Sequence, residues 1–364
     1  MDVYLLILGD HLPDPSTGRV VSEAQRLRAI VEQAVVAEEA GFTGVAIGEH
    51  HFTRYIVSAP ELLLATIAER TSRLRLSTGV TLLAHHDPVR VAEELATLDV
   101  LSGGRAEMIV ARGVSQRTDA AFGVQDDLRA RFDENLRLLL RLLEEPHVTW
   151  NGRFRSPLVD VTTTPRPLQR PRPLVWIGSG SAVSADLAVE LELPLMLPST
   201  LRDPSTHRAV VERYRAAMGT RTAMSNRTAT SNRTAMSTRT ARGSGQAAIG
   251  GGRVALPSHV FVAPSAARAR EVWRPHLAAY AHFADPWRGD GDVDVDVLMD
   301  GAAVCGDPAE VTERLNDLGR LLGLDAHLVM VDIGGLPHGA VLDTIRLFGA
   351  EVLPNLKAPT TAPE

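Results

Sequence analysis

The chain has 364 residues, 45% of them hydrophobic and 23% charged, with a formal net charge of −6. That is an ordinary globular composition, and so mild a charge argues against nucleic acid or an anionic membrane surface as a partner. The single cysteine, Cys305, excludes an internal disulfide and a multi-cysteine zinc site. Residues 1–8 carry Asp2 and no basic leader, and no uninterrupted apolar run reaches the ~18 residues of a membrane span, so a cytoplasmic protein is expected.

Residues 3–8 form a continuous apolar run, as in a strand covered on both faces. Ser22 opens a helix, and Gln25 three residues on completes a capping box. Leu27, Ile30, Val31, Ala34 and Val35 recur at helical spacing, and Gly41 marks the stop. Gly44–Ile47 reads as the second strand, with Pro60 as the first residue of the next helix. Residues 74–83 read as the third strand; Asp87-Pro88 then pairs a cap with a first-turn proline for a helix ending before Gly103-Gly104. Residues 106–110 read as the fourth strand, and Leu128, Phe132, Leu136, Leu139, Leu140 and Leu143 make one apolar stripe on a long helix. Asn151-Gly152, between 148–150 and 153–154, has the form of a tight hairpin turn. Residues 174–177, 195–197, 258–262 and 327–331 supply four more strands.

Eight strands alternating with helices imply a parallel sheet. An open doubly wound sheet satisfies the same alternation, but eight units on a chain of this size favour closure into a (β/α)8 TIM barrel. Residues 220–252 break the rhythm with RTAMSN, RTATSN and RTAMST in tandem before a glycine-rich stretch. With few apolar groups to offset the entropy of ordering them, they read as a disordered, basic, solvated insertion. The barrel then occupies 1–357 as one domain, and 358–364 is a tail.

In such a barrel, reacting groups sit where strands end and the following loops begin. Glu49, His50, His51 and Phe52 follow strand two; Gly79 lies in strand three, with His85, His86 and Asp87 beyond it. Histidine suits proton transfer near neutral pH, although either ring could equally hydrogen-bond loop backbone. Glu49 with these histidines also permits a metal reading, but no HExxH spacing is present and no metal is expected. Gly178-Ser179-Gly180-Ser181 resembles a phosphate cradle between a strand and a helix. Val183 stands at the third glycine position of a dinucleotide fingerprint, and no acid follows at the ribose distance, which argues against a nicotinamide site. Arg112, after strand four, needs an anion, either phosphate or a nearby carboxylate. Together, cradle and arginine fit a ligand with one phosphate.

IGEHHFTRY at 47–55, HDPVRVAEELATLDVLSGGR at 86–105 and ARGVS at 111–115 resemble bacterial luciferase and its flavin-dependent relatives. VCGDPAEV at 304–311 and LFGAEVLPNLK at 347–357 resemble them too, in the same order along the chain. The resemblance implies a TIM barrel binding reduced FMN, or F420 in some branches, at the C-terminal mouth. It implies a monooxygenase that uses O2, through a flavin C4a-peroxide, to oxygenate a small organic substrate, with FMNH2 from a separate reductase. By that resemblance His50 is the acid/base, and His51 and Glu49 shape its pocket. Arg112, Arg129 and the Ser179-Gly180-Ser181 turn hold the flavin phosphate, Val114 and Gly178 also bind the cofactor, and Gly79 with Val80 forms a bulge that supports the isoalloxazine ring. It also implies a homodimer through helices two and three, and it places a mobile lid in 280–299, around Gly289, Asp290 and Gly291. The alternatives are an F420-dependent reductase or dehydrogenase on the same barrel, and a non-catalytic partner subunit like luciferase β; EHHF and Arg112 speak against the latter. Ala111 stands where thiol-bearing relatives have cysteine, the repeats of 220–252 lie outside the family pattern, and nothing argues for light emission.

Overall fold

The computed structural model describes residues 1–113, 115–124, 127–198, 201–235, 251–288 and 294–357. In chain order its elements are β1 (Asp2–Ile7), α1 (Glu23–Glu39), β2 (Gly44–Ile47), α2 (Pro60–Ala68), β3 (Arg75–Leu82), α3 (Pro88–Leu101), β4 (Ala106–Ala111), α4 (Gln116–Ala121) and α5 (Leu128–Glu144). There follow β5 (Val148–Trp150), β6 (Leu158–Val161), β7 (Leu174–Gly178), α6 (Ala182–Glu190), β8 (Leu195–Met196), α7 (Arg208–Ala235), β9 (Val254–Val262) and α8 (Ala266–Arg288). The chain closes with α9 (Val295–Asp300), β10 (Val304–Gly306), α10 (Pro308–Leu322), β11 (Ala326–Met330) and α11 (His338–Leu347).

Strands β1, β2, β3, β4, β7, β8, β9 and β11 pair in parallel in that cyclic order, and the β8–β9 and β11–β1 pairings close the ring. The expected eight-stranded α/β barrel is therefore present. Its strands read as unbroken apolar runs because both faces are covered. In β1, Val3, Leu5 and Ile7 face the helices, while Tyr4 and Leu6 join Ala46, Ile109, Trp176 and Leu328 inside the barrel. The cap signals operate as written: Ser22 and Gln25 form a reciprocal capping box, and the Asp87 carboxylate accepts from the Val89 amide.

Three expectations are corrected. The hairpin strand opposite β5 is β6, not 153–154, because the Glu134 carboxylate takes the Arg153 and Phe154 amides at 2.8 and 3.1 Å and withdraws them from pairing. Residues 220–235, read as disordered, continue α7 as helix; 236–250 lie outside the described residues. Residues 280–288 of the expected lid belong to α8 and 295–300 to α9, while Gly289, Asp290 and Gly291 lie outside the described residues. β10, paired to the end of β9 outside the ring, was not anticipated as a strand.

Where the ring closes, Arg26 of α1 ties two loops of the barrel mouth together. Its Nε donates to the Asp10 carbonyl at 2.9 Å, and its guanidinium pairs with the carboxylates of Asp10 and Asp332, all three side chains being buried. Gln33 donates to the same Asp332 oxygen at 2.6 Å, and the Gly334 amide donates to Asp10 at 2.8 Å. Burial pushes the Asp10 pKa up to about 7, with Arg26 offsetting only part of that penalty. Removing one partner of a buried ion pair strands the other charges. Arg26→Met should therefore cost about 3–5 kcal/mol in urea unfolding, whereas Arg28→Met, at an exposed position of the same helix, should stay within about 0.5 kcal/mol.

Candidate active site

Beyond β2 the chain runs Gly48-Glu49-His50-His51-Phe52 across the C-terminal mouth. Gly48 is needed there because a Cβ would lie 2.8 Å from the Leu8 side chain and 3.2 Å from the His50 ring. Glu49 is only 3% exposed. Its carboxylate accepts from His51 Nε2 at 2.8 Å, His86 Nε2 at 2.7 Å and the Leu82 amide at 2.8 Å. Burial alone would raise its pKa, but the hydrogen bonds from His51, His86 and Leu82 prevail and hold it at about 2. Burial pulls His86 the other way, towards neutrality, and the Glu49 hydrogen bond and charge reverse that, leaving its pKa above the ordinary value.

His50 points elsewhere. Its ring stacks on Tyr55 with centroids 3.9 Å apart, and its Nδ1 is buried without a hydrogen-bond partner. Burial lowers its pKa to about 4, with Glu49 offsetting only part of the effect, so the ring is neutral at pH 7. The Tyr55 hydroxyl meets that of Tyr280 at 3.0 Å, and Phe283 lies edge-on to Tyr55 at 4.9 Å. His259 of β9 lies 5.2 Å from the Tyr280 ring. Sequence reasoning missed His259 and gave Tyr280 only as the start of a lid. The available signal was the strand alternation, which puts Ala255, Pro257 and His259 on one face of β9.

The other side of the mouth carries Arg112 and the glycine–serine turn. Arg112, half-buried at the end of β4, has no ion-pair or hydrogen-bond partner among the described residues. Gly113 follows at φ +84°, pressed so closely on buried His85 that a Cβ would lie 3.0 Å from its ring; His85 Nε2 in turn bonds Asp119 at 2.7 Å. In β3 the Gly79–Val80 peptide is cis and the β3–β4 register shifts there, so the bulge lies where it was expected. A Cβ on Gly178 would lie 3.2 Å from Val80, which places the end of β7 against that bulge. Ser181 caps α6 by accepting from the Ser184 amide, and its own amide donates to Ser179 Oγ at 3.1 Å. Gly180 packs against Pro198, where a Cβ would come within 3.0 Å of the ring. Arg129 is exposed in the first turn of α5, and Val114 lies outside the described residues. Among the described residues no three His, Cys, Asp or Glu side chains are grouped to hold a metal ion, and no helix is long and apolar enough to cross a membrane.

The model of the luciferase-like monooxygenase family matches residues 1–325. The chain belongs to this family. A Sinorhizobium fredii protein, y4vJ, is 37% identical over 163 residues, 44% of this chain and 46% of its own length; the chain thus spans about half the length of the curated relatives it matches. Among solved structures, the monooxygenase RslO1 of Streptomyces bottropensis is 26% identical with a TM-score of 0.78, covering 97% of this chain and 99% of its own. The oxygenating constituent of 3,6-diketocamphane monooxygenase from Pseudomonas putida, in complex with FMN, shares the fold at 19% identity and TM-score 0.73, over 99% and 100%. So does the F420-dependent tetrahydromethanopterin reductase of Methanopyrus kandleri, at 19% and 0.68, over 98% and 99%.

The Glu49 network has a pH signature that needs no ligand. Glu49 is depressed below its ordinary 4.5, so its contribution to stability is present above pH 4.5 and lost as the pH falls towards 2. His86 is raised above 6.5, so its contribution is full below pH 6.5 and lost as the pH rises through its folded-state pKa. The stability advantage of the native chain over Glu49→Gln should therefore peak between pH 4.5 and 6.5, at about 3 kcal/mol. Urea unfolding of both proteins from pH 3 to 9 measures it, and a difference flat across that range would contradict the assignment.

Proposed function

We propose that this member of the luciferase-like family is an FMN-dependent monooxygenase that uses O2 to oxygenate a small organic molecule. The observation that carries the reading is Arg112, a half-buried cation without a partner among the described residues, at the same barrel end as neutral His50. The residues present fit a flavin mononucleotide. Arg112 and the Ser179-Gly180-Ser181 turn at the start of α6 would hold its phosphate, since helix-terminal N–H groups and a guanidinium both favour such an anion, and by the family resemblance Arg129, Gly178 and Val114 would take part in binding the cofactor. A Cβ on Gly79 would lie 2.9 Å from the side chains of Ala46 and Leu6, so glycine allows the β3 bulge, and by the family resemblance Gly79 and Val80 would support the flavin ring. Bound and reduced, FMN supplies the activation of oxygen, which no protein side chain provides.

The chain's own residues do the rest. Neutral His50 can accept a proton on a ring nitrogen, and its burial ensures that the proton is returned readily. Glu49 fixes His51 and His86, which leaves His50 free of that carboxylate. Tyr55, Tyr280 and Phe283 pack over the His50 side of the mouth and keep water from it. Reduced flavin would come from a separate reductase. Two copies would pair through α2 and α3, whose exposed Leu62 and Leu101 suit such a contact. A reading with F420 in place of FMN rests on likeness of fold.

Calorimetric titration of the flavin-free chain with FMN, riboflavin and F420 tests the phosphate site. FMN should bind more tightly than riboflavin, and Arg112→Ala should weaken FMN by about 10- to 100-fold while sparing riboflavin. Equal binding of FMN and riboflavin would remove the phosphate site, and binding of F420 alone would replace the cofactor. With FMNH2 supplied by a reductase, His50→Ala should keep FMN affinity and lower product formation from a panel of aldehydes, ketones and alcohols by at least ~100-fold.

A further inference from the structure

β9 pairs with β11 so that Ala255, Pro257 and His259 stand opposite Ala326, Leu328 and Met330. Ala255, Ala326, Leu328 and Met330 all line the barrel interior, so His259 also points inward, at the C-terminal end of the barrel. It is 3% exposed, and its Nε2 is buried without a hydrogen-bond partner. Leaving such a nitrogen unmatched costs the desolvation of a polar group with no bond in return. Two buried histidines elsewhere each anchor at least one ring nitrogen on a backbone carbonyl, His276 Nδ1 at 2.9 Å and His327 Nε2 at 3.1 Å, although His327 Nδ1 is itself unmatched. Neither His50 nor His259 has such an anchor among the described residues. Between these two rings stand the phenols of Tyr55 and Tyr280, hydroxyl to hydroxyl.

We propose that His259, together with the Tyr55–Tyr280 pair, recognises a neutral oxygen function of the organic substrate, a carbonyl or a hydroxyl. This rests on the oxygenase reading above. The polar atoms gathered here are two imidazoles and two phenols in an otherwise apolar setting, the usual make-up of a small-molecule site with a few orienting groups. Burial holds His259 neutral, with a pKa of about 3, and pushes both phenols above their ordinary range. A neutral imidazole and a phenol can each donate to a carbonyl or bond a hydroxyl. The charged group that bears on both phenols is an acid, Asp10, paired with Arg26, and it offers a carboxylate at the phenols no positive partner. A carboxylate would enter as an unpaired buried charge, and an oxygen-free hydrocarbon would leave both imidazoles unmatched. Sites of this kind reject analogues that lack the bonding group more strongly than analogues that differ by a methylene.

The test uses the full, flavin-free chain with its histidine rings labelled with 15N. Cyclohexanone, cyclohexanecarboxylate and cyclohexane are titrated while the imidazole resonances are followed, and FMN binding is measured separately on the same protein. Cyclohexanone should shift the His259 Nε2 resonance saturably and cyclohexanecarboxylate should not. His259→Leu should weaken cyclohexanone by about tenfold, and His259→Gln, which keeps a hydrogen-bonding group, should recover most of it. No response at His259 in the native chain, or an equal response to the carboxylate, would overturn the proposal even if the leucine variant failed to fold. Loss of FMN affinity in His259→Leu with unchanged cyclohexanone binding would overturn it as well, by placing His259 on the flavin. Failure of the native chain to bind FMN would instead defeat the oxygenase reading, while the cyclohexanone response stayed readable.

Discussion

The mouth of the barrel is organised around one buried carboxylate. Glu49 is held by two imidazoles and a backbone amide, and those donors come from both of the strands that border it, β2 and β3. A carboxylate so deeply buried is tolerable only because each oxygen is matched. The matching in turn fixes the partners: His51 and His86 are committed to Glu49. His50, neighbour to both Glu49 and His51 in the chain, is turned the other way, onto the Tyr55 ring. Two adjacent histidines after one strand thereby acquire opposite electrostatic characters, one bonded to a carboxylate and one neutral among aromatic rings.

The same division extends across the mouth. Towards β4 and β7 lie Arg112 and the exposed Ser181 cap of α6. Towards β1, β2 and β9 lie Tyr55, Tyr280, Phe283 and His259, an aromatic cluster with Asp10 beside its phenols. The Gly79–Val80 bulge sits between the two regions, close to Gly178 on the Arg112 side and packed on Ala46 and Leu6 beneath.

Much of this was legible in the sequence because it depends on local chemistry. The Ser22–Gln25 box, the Asp87-Pro88 cap and the unbroken apolar strands need no knowledge of distant partners. Glu49, His50 and His51 were identifiable as a group because they are contiguous and follow a strand. What escaped depends on contacts between residues far apart in the chain. Glu134 diverts the hairpin from the Asn151-Gly152 turn, and Tyr280 meets Tyr55 across 225 positions. Residues 220–235 of the repeat segment misled for a different reason. Their composition is poor in apolar groups, yet they directly extend a helix already anchored through Val210, Val211 and Tyr214, and elongation needs far less driving force than nucleation.

The two ends of the barrel differ in how their polar networks are closed. At the N-terminal end, Glu107 accepts from Tyr4 at 3.0 Å and from Arg75 at 2.5 Å, a closed network that leaves neither partner open. At the C-terminal end, ring nitrogens of His50, His85 and His259 are buried without partners, and Arg112 has none among the described residues. Each unmatched nitrogen lowers stability by about 1–3 kcal/mol; His327 Nδ1, at the N-terminal end of β11, carries that cost too, but three such imidazoles share the C-terminal rim. Their cost is offset elsewhere, in the apolar shell and the paired floor. The arrangement is that of a scaffold whose stability resides at one end so that the other can keep bonding capacity in reserve for what it binds.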